Sequence, residues 1–132
     1  MRNTRPVMAL GQRFLALLAA AFGLVTLAAG GRVLAGADPG YVVYAPLLIF
    51  NTAMGVAYVA AGVVAWRSLR SGAFAAGAIF LANLVVAAAI VNLYSAGRAI
   101  AIDSVRAMAF RTGVWLVLFL GLAWMNRRPG PR

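Results

Sequence analysis

The chain has 132 residues, of which 64% are hydrophobic and only 11% charged, with a formal net charge of +10. That composition excludes an ordinary soluble domain and leaves room for one membrane domain. Cysteine, histidine and glutamate are all missing and every basic residue is arginine, so thiol exchange and the common haem, zinc and copper ligand sets are excluded and no cofactor is expected.

Four apolar runs follow one another, each about the length that crosses a hydrocarbon core of roughly 30 Å at about 1.5 Å per residue. The first, about 14–29, follows a basic amino end containing Arg2, Arg5 and Arg13. With Ala35-Gly36-Ala37 behind it, it also has the form of a secretory signal peptide. The paired Gly30-Gly31 before Arg32 predicts the end of this helix. Asp38-Pro39-Gly40 marks a turn, and Tyr41 and Tyr44 suit the aromatic belt of a membrane surface. The second run covers about 44–66, with Pro46 tolerated in its first turn. The short link from Arg67 to Gly72 predicts an antiparallel hairpin with the third run, about 72–94. The fourth covers about 105–124. The fold class is therefore all-α, a four-transmembrane-helix antiparallel bundle forming a single integral membrane domain over residues 1–132.

Arginines near span ends fix orientation. Arg2, Arg5, Arg13, Arg67, Arg70, Arg127, Arg128 and Arg132 fall on one side, eight of the twelve, while Arg32, Arg98, Arg106 and Arg111 share the other with both acids, Asp38 and Asp103. Both termini are expected in the cytoplasm. The charge is thus used for topology, and nucleic acid is not an expected partner.

Helices in lipid must be held by close approach and by hydrogen bonds. On the second span Ala53, Ala57, Ala61 and Ala65 recur every four residues and are expected to face a neighbouring helix, as are Ala73 with Gly77 and Ala78 with Ala82 on the third. Asn51, Gly55, Tyr58 and Gly62 form a second stripe on one face of the second span. Asn83 is expected to bond between helices. Asn92, nine residues later, lies about 180° around the same helix.

Polar residues gather at one depth. Thr26, Asn51, Thr52, Asn92, Ser95, Arg111 and Thr112 all fall near the extracytoplasmic ends of their spans. Arg111 stands out, because it lies about two turns inside a helix that Asp103 or Ser104 should begin. It either extends to the headgroups, pairs with Asp103, or binds an anionic group. Asp103 has the further reading of an N-cap. Guanidinium groups match carboxylate and phosphate in bidentate geometry, so the candidate ligand-binding residues are Arg111, Asp103, Asn51, Asn92, Arg106 and Arg98.

With two aspartates as its only acids and no histidine, cysteine or lysine, the chain lacks the groups that catalysis uses near neutral pH, and no enzyme is expected. No acid lies inside a span, which disfavours proton-coupled transport. The run Phe50-Asn-Thr-Ala-Met-Gly-Val-Ala-Tyr-Val-Ala-Ala-Gly62 with Trp66, and the run Arg106-Ala-Met-Ala-Phe-Arg-Thr112 with Trp115, resemble a set of small uncharacterised bacterial four-span membrane proteins. That resemblance implies four spans and brings no activity. The expectation is a protein of the bacterial cytoplasmic membrane with a binding or accessory-subunit role through its arginine-rich outer face. Its partners are the lipid bilayer and either an anionic lipid or another membrane protein, with the oligomeric state left open. The alternative is a minimal oligomeric carrier or channel for a small solute.

Overall fold

The four apolar runs become four helices, three of them longer than the hydrophobic stretch and the second shifted by one residue. A computed structural model describes residues 5–128, with side chains from residue 9 onward. Its helices are α1 (Arg5–Leu34), α2 (Ala45–Arg67), α3 (Leu69–Ser95) and α4 (Ile102–Arg127). All four are long and apolar enough to cross a membrane, and the protein is an all-α, multi-pass membrane protein. Large apolar side chains such as Phe14, Val25, Ile49, Val85 and Val117 point outward along the helices, the arrangement expected where lipid is the solvent.

The helix ends explain where the runs stop. Gly30-Gly31 does not end α1, contrary to the expectation. A Cβ at Gly30 would collide with the Thr52 side chain, so this glycine serves helix contact and not termination. The stop comes at Gly36, with φ of 112°. There the Ala37 amide donates to Arg32 O at 2.9 Å and the Gly36 amide to Val33 O at 3.0 Å, the paired bonds of a Schellman end. Gly97 ends α3 in the same way, through Arg98 N to Leu93 O and Gly97 N to Tyr94 O, both 3.1 Å. In the α1–α2 loop, Asp38 Oδ1 accepts from Gly40 N at 2.8 Å, which makes the expected turn. Pro46 sits in the first turn of α2.

Between α2 and α3 the link shrinks to Ser68. Its extended backbone ends one helix and its side chain accepts from Ser71 N at the start of the next. Most of the expected connection is helical because the serine supplies an N-cap four residues before Gly72.

The closest pairings are α1 with α2 and α3 with α4, followed by α2 with α3, and the α1–α4 seam is much the loosest of the four. Small residues set these approaches. A Cβ at Gly62 would lie 2.8 Å from Ala16 O and from Ala20 N, and one at Gly72 would lie 2.7 Å from Ala65 Cβ. The alanine row on α2 is only half in contact: Ala61 and Ala65 are buried, Ala57 is intermediate and Ala53 is exposed. Steps of four residues rotate about 40° each, so the row turns by roughly 120° from end to end and leaves the interface. The Gly55, Tyr58 and Gly62 stripe alternates threes and fours and stays buried. On α3, Ala73 is buried and Ala78 is exposed, and the inward face runs through Ala73, Ala76, Ile79 and Asn83.

At the centre Tyr58 OH donates to Asn83 Oδ1 at 3.1 Å, the expected interhelical bond. Trp115 lies against Tyr58 with ring centroids 4.8 Å apart, and Phe22 is 5.4 Å from Tyr58 on its other side. Asn92 is exposed while Asn83 is wholly buried, as their opposite faces require. At the Ser68 end, Gln12 Nε2 donates to Ala65 O at 2.8 Å and so satisfies a carbonyl in the last turn of α2.

A candidate binding cavity around Arg111

The bundle end that carries the two longer loops holds a cavity of about 210 Å³. Three helices and one loop enclose it. Thr26, Ala29, Gly30 and Val33 come from α1, Leu47, Leu48 and Asn51 from α2, and Ser104, Ala107 and Arg111 from α4. Pro39, Tyr41, Val43 and Tyr44 border it from the α1–α2 loop, most of whose residues are exposed. Helical spacing places these side chains together: residues 104, 107 and 111 step by three and four, as do 26, 29 and 33.

Arg111 reaches across from α4 to α1. Its Nη1 donates to Thr26 Oγ1 at 2.9 Å, and its guanidinium carbon lies 5.7 Å from the centroid of the Phe22 ring, within the range of a cation–π contact. Thr26 is only 3% exposed. The Nε of Arg111 is buried with no hydrogen-bond acceptor, and the same is true, with the sign reversed, of Asn51 Oδ1, a buried acceptor with no donor. An unsatisfied buried polar atom costs about 1–3 kcal/mol. Arg111 and Asn51 thus both line the cavity, and each also carries one unpartnered polar atom packed out of its reach.

Two other hydroxyls expected at this depth are used locally, and Ser95 is exposed. Thr52 Oγ1 donates to Leu48 O at 2.8 Å and Thr112 Oγ1 to Met108 O at 2.7 Å, each within its own helix. Of the sequence candidates, Arg111 and Asn51 line the cavity, whereas Asn92, Asp103, Arg106 and Arg98 are exposed and do not. α3 supplies no wall, which leaves Asn92 outside. Asp103 is not the N-cap of α4 either. That position is Ala101, without a side-chain cap, and Asp103 lies in the first turn, where a carboxylate suits the positive end of the helix. Ser104, Tyr41 and Tyr44 were not among the sequence candidates. For Ser104 the signal was present, since it precedes Arg111 by seven residues on one face.

Chemically, a cavity bordered by the Arg111 guanidinium and by Asn51, Thr26 and Ser104 can seat a small polar group that offers an acceptor to the arginine. No carboxylate among the described residues lines it. Comparison of the chain with protein-family models, with curated proteins and with solved structures finds no match.

Proposed function

We propose that this protein is a membrane-embedded binding or accessory subunit, and that the Arg111 cavity receives a carboxylate or phosphate group, carried either by a small ligand or by a partner protein. The supporting observation is the half-buried Arg111 guanidinium in a cavity that is bordered also by Asn51, Thr26 and Ser104 and by no described carboxylate. The proposal places the cavity on the extracytoplasmic face of a bacterial cytoplasmic membrane, with both termini inside, on the arginine distribution. Reporter fusions after Asp38 and near the carboxyl end test that orientation, and a cytoplasmic Asp38 overturns it.

Binding is favoured over conduction because the bundle fills one turn below the cavity. Phe22 and Trp115 stand one turn from Thr26 and Arg111, and Ala16, Ala61, Ala76, Leu118 and Leu122 pack beyond them. One observation favours a carrier: Asn83 Nδ2 and Trp115 Nε1 are also buried without acceptors. Thermal unfolding of the detergent-solubilised protein with a panel of small carboxylates and phosphate monoesters separates the outcomes. At least one compound should raise the melting temperature of the wild type and not of Arg111→Gln, with Arg98→Gln behaving as wild type. If none does, and flux into liposomes depends on Asn83, the carrier reading replaces this one.

A further inference from the structure

The opposite end of the bundle carries a different pair of features. Arg70 and Ser71 lie in the first turn of α3, and Asn126 and Arg127 close α4. Together they line an opening of about 450 Å³. Phe74, which is 80% exposed, and Phe119 line it as well. Those two phenylalanines also begin an apolar groove of about 460 Å³ between α3 and α4, continued by Gly77, Ala78, Phe80 and Leu81. Gly77 lets Phe119 pack closely against α3 as a wall of the groove, since a Cβ there would lie 2.9 Å from the Phe119 ring. Both acids of the chain belong to the other end, Asp38 in the α1–α2 loop and Asp103 at the start of α4.

We propose that this surface is a site for one anionic glycerophospholipid, with its phosphate against Arg70 and Arg127 and one acyl chain along the Phe74–Leu81 groove. The order of the features matches that of a lipid. Cationic donors stand at the helix ends, where headgroups lie, and the apolar groove begins directly beneath them. Charge decides the headgroup, since two guanidinium groups with no carboxylate near them among the described residues attract a net anion, whereas a choline lipid carries its own compensating cation. A soluble phosphate ester would use the arginines and leave Phe74 uncovered. A second copy packed by two-fold symmetry would bring its own Arg70 and Arg127 to the same place, like charge against like. This site is separate from the Arg111 cavity, and either can fail without the other.

The test is native mass spectrometry of the full chain in detergent, titrated with dioleoyl phosphatidylglycerol, dioleoyl phosphatidylcholine or glycerol phosphate. The wild type is expected to retain phosphatidylglycerol in preference to phosphatidylcholine. Arg70→Gln with Arg127→Gln should weaken that preference about tenfold or more. Arg13→Gln with Arg67→Gln removes equal charge from the same end and should change it by less than about twofold. Ala78→Phe fills the groove from an exposed position and should weaken dioleoyl lipid binding about fivefold. If the arginine double variant does not fold, Arg127→Gln alone is read in its place. The proposal is overturned by equal losses in both double variants, by equal binding of the two lipids, by displacement of lipid with equimolar glycerol phosphate, or by an Ala78→Phe variant that alters dimerisation and not lipid retention.

Discussion

At the loop end the bundle is filled on one side and hollow on the other. Towards α3, Leu47, Ile90, Ile100 and Met108 form a buried cluster with Phe50, Val86 and Leu93 packed around it. Towards α1, at the same depth, Thr26, Asn51, Ser104 and Arg111 border an open cavity. Met108 and Arg111 are neighbours on α4, three residues apart, yet one is almost wholly buried in apolar contact and the other leaves its Nε without a partner. Sites are commonly kept at some cost in stability, whereas core positions are packed to add to it. The contrast between the two sides is what supports the binding role proposed for the Arg111 cavity.

Substitutions can break that contrast or sharpen it. The largest effect is expected on the filled side, where Met108→Ala should cost about 2–5 kcal/mol, as for other large-to-small changes in a packed core. Reversible unfolding in mixed micelles measures it, and a loss below about 1 kcal/mol would mean that the cluster is not a core. Next is the α2 alanine row: Ala61→Leu should cost about 1–3 kcal/mol by overpacking, Ala57→Leu less, and Ala53→Leu almost nothing. The same unfolding series reads this gradient, and equal costs would contradict the rotation of the row. Smaller still is Arg111→Leu, which gives up the Thr26 bond and the Phe22 contact but also removes a costly half-buried cation. Its net effect should lie within about 1 kcal/mol of zero, while ligand-induced stabilisation disappears. The smallest change is Ser104→Ala, within about 0.5 kcal/mol, detectable only through the ligand.

Element type and number were legible from hydropathy, because a membrane leaves few other solutions for long apolar runs. The ends were less so. Gly30 and Gly36 are the same residue type in similar settings, and only the neighbour at Thr52 shows that the first is a contact and the second a stop. The site was legible in part for a related reason. Counting from helix ends gives depth, and it brought Arg111 and Asn51 to one level. It does not give azimuth between helices, which is why Asn92, Asp103, Arg106 and Arg98 were grouped with them although α3 and the outer rim do not reach the cavity. The seven-residue step from Ser104 to Arg111 was readable within one helix. The partnership of Arg111 with Thr26 depends on which helices meet at the α1–α4 seam, and no local pattern encodes that.

Ser68 has a mechanical consequence. A single residue joins α2 to α3, and consecutive Cα atoms stand about 3.8 Å apart, so these two helix ends have no slack with which to separate. α1 and α4 have no direct chain connection. Between them runs an apolar groove past Leu18, Phe22, Phe110 and Val117, bridged by the Arg111 to Thr26 hydrogen bond. The molecule is built like a bound book, with its spine at Ser68 and its free edge at α1 and α4. That edge is the loosest of the four helix pairings, and the Arg111 to Thr26 hydrogen bond spans it.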